Sequence, residues 1–142
     1  MFGFASDKVY GGRRAPVITF GFMGMAVLLG ALALVHRFAL NPWAVAVCLS
    51  TLSFFVNGAH GMIGGAASMD FGGRKAAATA AGLFDGMQYL AGAFVGYGVG
   101  AIIDAKGWGW AMWPVVPIPF ALAGAAIISR IWNTAPRTSA GH

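Results

Sequence analysis

Two small sets of polar residues stand inside otherwise apolar stretches of this chain. Asp85, Gln88 and Tyr89 occupy positions i, i+3 and i+4, so a helix carries all three on one face. They offer a carboxylate acceptor, an amide and a hydroxyl to a polar solute. The same groups also serve as hydrogen bonds that glue one helix to another. Asn57 and His60 are three apart, and Gly61 and Gly64 continue their face. An imidazole there contacts an anionic solute, carries a proton, or bonds a neighbouring helix. A third set opens the chain in the order Gly3-x-x-Ser6-Asp7-Lys8-x-x-Gly11-Gly12-Arg13-Arg14. Asp7 at a helix end can pair with Arg13 or Arg14, and the glycines permit a sharp turn.

The elements that must carry these residues are set by composition. Of 142 residues, 58% are hydrophobic and 9% are charged. Soluble domains carry roughly 25% charged residues. A fold of this size has too much surface for its volume to hide so much apolar area from water, so lipid is the expected solvent. The net charge of +5 does not form a basic stripe; Lys and Arg fall in clusters between apolar runs. That pattern reads as membrane topology and not as a nucleic-acid surface. Cys48 is the single cysteine, which excludes an intramolecular disulfide, and its apolar setting suits a small packing residue.

Crossing about 30 Å of hydrocarbon takes about 20 helical residues. Four runs qualify, over about 15–35, 43–67, 77–103 and 110–132, followed by a flexible cytoplasmic tail over 133–142. Backbone polar groups in lipid must be satisfied within the segment, so an all-α membrane fold of four antiparallel transmembrane helices is expected. Breaks are expected at "HRFALNP", "DFGGRK" and "DAKGWG". Placing Lys8, Arg13 and Arg14 in the cytoplasm also puts Arg74, Lys75, Arg130 and Arg137 there, leaving Arg37 and Lys106 outside. This positive-inside bias puts both termini in the cytoplasm. Trp43, Trp108, Trp110 and Trp132 fall near span ends, where indole prefers to sit. A cleaved signal peptide fits poorly, because the first run is span-length and three more follow. Gly82 and Gly86, and then Gly92, Gly96 and Gly100, recur every fourth residue, a spacing that lets helix backbones approach. Pro114, Pro117 and Pro119 crowd the start of the fourth run, where missing amide donors cost least.

The opening set resembles the cytoplasmic loop motif of the major facilitator superfamily, in which a Gly, an Asp and a basic cluster latch two helices. Further along, the segment from Gly61 to Trp110 carries Asp70, Arg74 and Lys75, then "AAATAAGL", "YLAG", Asp104 and "GWGW". In that order and spacing it resembles the end of the organophosphate:inorganic phosphate antiporter family, to which glycerol-3-phosphate and hexose-phosphate transporters belong. The family fold has twelve helices in two halves. The resemblance implies that this chain begins at the tail of the eighth helix and contains the ninth to twelfth, as a C-terminal piece of a longer transporter. The family's phosphate-binding arginines lie on the first and seventh helices, and no residue here corresponds to them. Tyr89 aligns with a tyrosine that lines the substrate path in the glycerol-3-phosphate members. Those members have a second pathway tyrosine near the position of Gly58.

The expected function is therefore part of a secondary transporter in the plasma (inner) membrane. It moves small organic anions, phosphate esters in exchange for inorganic phosphate, by alternating access. The expected pathway residues are Asn57, His60, Asp85, Gln88 and Tyr89, and the expected cytoplasmic gating loop is Gly3, Asp7, Arg13 and Arg14. A bare carboxylate at Asp85 would repel a phosphate, so it pairs with a basic group or is protonated. Expected partners are the bilayer, an organic phosphate or inorganic phosphate, and the missing N-terminal helices or a second copy. No cofactor, metal, nucleophile triad or nucleotide motif is expected, and the chain is not expected to be an enzyme. The alternatives are a major facilitator for another organic solute, or a self-contained four-helix membrane protein that dimerises.

Overall fold

The computed structural model describes residues 1–38, 41–107 and 109–134, without the side chains of 71–75 and 110–112. Trp108, Arg137 and most of the tail expected over 133–142 lie outside the described residues, as do the side chains of Arg74, Lys75 and Trp110. Every regular element among the described residues is helical. They are α1 (Phe2–Lys8), α2 (Arg14–Arg37), α3 (Pro42–Gly61), a π turn (Met62–Ala67), α4 (Ser68–Lys106), a 3₁₀ turn (Trp110–Val115) and α5 (Ile118–Ser129).

Local chemistry sets the ends. Gly11 and Gly12 take φ of 60° and 82°, which turns the chain from α1 into α2. At the start of α3 the Asn41 side chain accepts from the Trp43 amide at 2.9 Å, and Pro42 fills the first turn, where its missing N–H costs nothing. Gly107 ends α4 in the left-handed conformation, with its N–H on Asp104 and Ile103 carbonyls. The π turn widens the helix and loosens its carbonyl ladder. The buried Ser68 hydroxyl compensates by donating to the carbonyls of Gly64 at 2.6 Å and Gly65 at 2.7 Å.

Among the described residues three helices are long and apolar enough to cross a membrane: Arg14–Arg37, Pro42–Asp70 and Ala76–Lys106. The fourth apolar run is a 3₁₀ turn holding Pro114 followed by α5, with Pro117 at its N-cap, rather than one straight rod. The prolines remove the amide donors that a continuous helix would need.

α2 is the centre. Val17, Ile18, Ala26, Leu29, Leu32 and Val35 are buried on it, on more than one face. α3 covers one side and α5 another. Going up α2 from Gly21 to Gly24, the partner on α3 goes down from Ala59 to Phe55. Going up from Phe20 to Phe22, the partner at α5 goes down from Trp132 to Gly124. Both neighbours therefore run opposite to α2.

The expected break at "DFGGRK" falls inside α4 as its bounds are drawn. The geometry nonetheless requires the chain to turn back there. His60 and Gln88 touch although 28 residues separate them, whereas a straight helix would hold them about 42 Å apart. Asp70 still reaches Arg14 at the start of α2, so the reversal lies between Asp70 and Asp85. It brings Asp85 and Gln88 back to His60 on α3.

Candidate functional site

Two constellations emerge. The first lies between α3 and the returning part of α4. His60 Nδ1 stands 2.6 Å from Gln88 Oε1, and His60 Nε2 stands 3.9 Å from Asp85 Oδ1. Oε1 carries no hydrogen, so Nδ1 is the donor. Asp85 Oδ1 is shielded and has no hydrogen-bond partner among the described residues. A cavity of about 480 Å³ lies beside the pair, lined by Phe22 and Met25 from α2, Asn57 and His60 from α3, and Gln88 and Tyr89 from α4. Four of the five expected pathway residues thus face one cavity, and Asp85 adjoins it through His60. Asn57 is partly occupied by its own helix, since its amide donates to the Ser53 carbonyl at 2.8 Å and hydroxyl at 3.1 Å. Asn57 also lines a second cavity of about 620 Å³ with Phe2 and Gly3 of α1 and Ser50 and Ser53 of α3.

The sequence places these side chains for plain reasons. On α3, Ser50, Ser53, Asn57 and His60 fall three and four apart, one polar stripe on an apolar helix. On α4, Gln88 and Tyr89 follow Asp85 by three and four, and the stripe meets them after the reversal. The cavity wall on the α2 side is apolar. Most of the lining is apolar; Asn57, His60, Gln88 and Tyr89 are its polar side chains, and His60 is its one basic group among the described residues.

The second constellation ties the ends of four elements together. Arg14, at the start of α2, pairs through Nη1 with Asp7 of α1 at 2.5 Å and through Nε with Asp70 at 3.0 Å. Its Nη1 also donates to Ser6 Oγ at 3.1 Å, and the fully buried Ser6 hydroxyl donates to the Arg13 carbonyl at 3.0 Å. Of the two arginines that Asp7 might have chosen, Arg14 is the partner. Arg13 turns elsewhere, donating to the Tyr10 carbonyl at 3.0 Å and to Asn133 Oδ1 at 3.3 Å. Tyr10, Phe20 and Trp132 stack edge to face and tilted, with centroids 5.7 to 6.4 Å apart. Gly3 sits on α1 with open space where a Cβ would be.

Sequence reasoning missed the second half of this network. Asp70, Asn133 and the aromatic trio were not singled out as its members. Asp70 carried a weak signal, an acid closing a long apolar run opposite an arginine that opens one. Trp132 lies just past the end of α5 and packs on Tyr10 and Phe20 there. Among the described residues no group of three or more His, Cys, Asp or Glu is placed to hold a metal ion.

Over 140 residues the chain is 30% identical to the probable hexose phosphate transport protein of Chlamydia muridarum (strain MoPn / Nigg), covering 99% of this chain and 30% of that protein. It is 31% identical over 137 residues to the glycerol-3-phosphate transporter of Bacillus subtilis (strain 168), covering 95% of this chain and 30% of the relative. To the membrane sensor protein UhpC of Escherichia coli (strain K12) it is 31% identical over 118 residues, 80% of this chain and 25% of the relative. The chain spans about 30% of the length of the first curated relatives it matches. No family model and no solved structure matches it.

Proposed function

The chain belongs to the organophosphate:inorganic phosphate antiporter family of the major facilitator superfamily, and from that premise we propose that it forms the last four helices of a transporter for organic phosphate esters. It is a multi-pass membrane protein with apolar helices and is not an enzyme. In our reading it exchanges the ester for inorganic phosphate by alternating access, rocking two halves around a central site. The observation that carries this is the likeness to phosphate-ester transporters over nearly the whole chain. Four polar side chains in the otherwise apolar wall of the α3–α4 cavity support it, because polar groups in apolar spans face protein or water.

On this reading Asn57, His60, Gln88 and Tyr89 line the solute passage, with Asp85 behind His60. Their hydroxyl, amide and imidazole groups suit the hydroxylated part of an ester. The phosphate itself is left to cations on helices beyond this chain, which the remaining length of the relatives would supply. The Asp7–Arg14–Asp70 network is the inner latch, with both termini on the cytoplasmic face of the plasma membrane. Arg14 binds both acids only while the ends of α1, α2 and α4 stay together, so parting those ends breaks two ion pairs at once.

A chimera tests the proposal. In the Bacillus subtilis glycerol-3-phosphate transporter, the aligned segment is replaced by this chain, and the product is reconstituted into proteoliposomes loaded with phosphate. Exchange of external glycerol 3-phosphate or a hexose phosphate for internal phosphate is the expected outcome. A chimera that inserts and folds yet exchanges no phosphate ester sinks the reading.

A further inference from the structure

Between α3 and α4 two acceptors face each other across a space that one proton would fill. Gln88 Oε1 fixes the hydrogen of neutral His60 on Nδ1, which leaves Nε2 as a bare lone pair. That nitrogen stands 3.9 Å from Asp85 Oδ1, an atom that is shielded within a half-exposed side chain and has no hydrogen-bond partner among the described residues. A carboxylate oxygen without a donor is costly away from water, and an imidazole lone pair is no remedy for it. The separation of 3.9 Å is longer than a hydrogen bond, as expected of two acceptors that repel. We propose that His60 and Asp85 bind a single shared proton across the α3–α4 contact, and that taking up and releasing it is the pH-sensitive event of this site.

The step is a simple protonation. Water in the adjoining cavity delivers H⁺ to Nε2, the imidazolium then donates to Oδ1, and no electron moves. In reverse the proton returns to water. Gln88 is the positioning residue, because it alone sets which ring nitrogen is free. Among the described residues that line the cavity, the groups around the pair leave it as the local charge. From α2 come Phe22 and Met25, neither of them titratable. From α3 comes Asn57, whose amide is bonded to Ser53. From α4 comes Tyr89, the other titratable side chain facing the cavity. Asp85 also lies against Gly64, where a Cβ would stand 3.4 Å from Oδ1, so the carboxylate rests on the π turn. π turns mark places where a helix is easily reshaped. Movement of the two helices against each other would therefore change the proton affinity of the pair. That consequence rests on the pathway reading above; the shared proton itself rests only on the geometry.

The test is imidazole nitrogen NMR on the whole chain in lipid nanodiscs, titrated from about pH 5 to about pH 8 with His36 as internal control. In the unsubstituted protein Nδ1 of His60 stays protonated throughout, and Nε2 gains its proton in one step. In Asp85→Asn that step shifts toward lower pH, because the carboxylate that steadies the imidazolium is gone. Asp85→Glu moves it back, and His36 is unmoved in both variants. A neutral His60 protonated on Nε2 instead of Nδ1 overturns the proposal, and so does a His60 curve that superimposes in Asp85→Asn and unsubstituted protein. The unsubstituted spectrum decides even if a variant fails to fold. Failure of the chimera to exchange would sink the pathway reading and leave this pair standing, while a superimposed titration does the reverse.

Discussion

α2 and the segment Ala76–Lys106 are both long apolar helices rich in glycine, yet they are used in opposite ways. In α2, 44% of the membrane-span window is buried by the rest of the chain; in Ala76–Lys106 the share is 6%. The glycines differ in the same sense. Gly21 and Gly24 of α2 seat the rings of Phe2 and Phe55, whereas Gly82, Gly86, Gly92 and Gly96 have nothing within reach of an added Cβ. Phe94 and Tyr97 are 77% and 83% exposed. Glycine in a membrane helix thus does one of two jobs. It admits a side chain from a neighbour in the same chain, or it keeps a face flat and open among the described residues. The local sequence is alike in the two cases, and only the fold separates them.

The sharpest way to break that contrast is a paired substitution. Gly24→Leu pushes its first carbon to within 2.6 Å of the Phe55 ring, and Phe2 and Phe54 hold that ring edge to face. Overpacking of this kind costs about 1–3 kcal/mol. Gly86→Leu and Gly92→Leu meet open space, so each should stay within about 0.5 kcal/mol of the unsubstituted chain. Thermal unfolding in one detergent compares all three. If Gly86→Leu or Gly92→Leu destabilises the chain as much as Gly24→Leu, the two glycine sets are not different in kind.

Next in size is the hub that joins the well-packed region to the reversal. Arg14→Gln leaves Asp7 and Asp70 facing one another with no cation between. Both ion pairs are partly solvated, so the expected loss is about 1–2 kcal/mol, above the level of an exposed pair. Arg13→Gln removes the guanidinium's hydrogen bonds to the Tyr10 carbonyl and to Asn133, both at least partly exposed, and should cost about 0.5 kcal/mol. Equal losses in the two variants would show that Arg14 is no hub. Trp132→Ala falls between them, at about 1 kcal/mol, since it strips two aromatic contacts from Tyr10 and Phe20.

The same division governs what was legible from residues alone. Signals that act within one turn could be read. Asn41-Pro42 opens α3, Gly107 closes α4, and Asp85, Gln88 and Tyr89 share a face because three and four residues make a helical turn. The reversal near "DFGGRK" was legible because charge and paired glycines are costly in the middle of a span. The π turn was not, because Met62–Ala67 differs from ordinary helix only in a hydroxyl that arrives at Ser68. Nor was the choice of Arg14 over Arg13, which is decided by Asp70, 56 residues away, together with the turn at Gly11 and Gly12. Three prolines marked the fourth run as irregular without telling where its helix would resume, at Ile118.

The smallest expected effect carries the most information about the poorly covered region. Tyr89 is 81% exposed, and its hydroxyl makes no hydrogen bond among the described residues. Tyr89→Phe should therefore leave the stability of this chain within about 0.5 kcal/mol. In the chimera the same substitution deletes a hydroxyl from the wall of the α3–α4 cavity. If the cavity is the solute passage, one hydrogen bond to a neutral group is lost, and ester exchange should fall roughly 5- to 10-fold. A residue that only glues helices would show the opposite pattern, a loss of stability with exchange falling in proportion to the folded fraction. Measuring both quantities on one preparation separates the two, because the packed side of the molecule has no position where stability and transport are expected to part company.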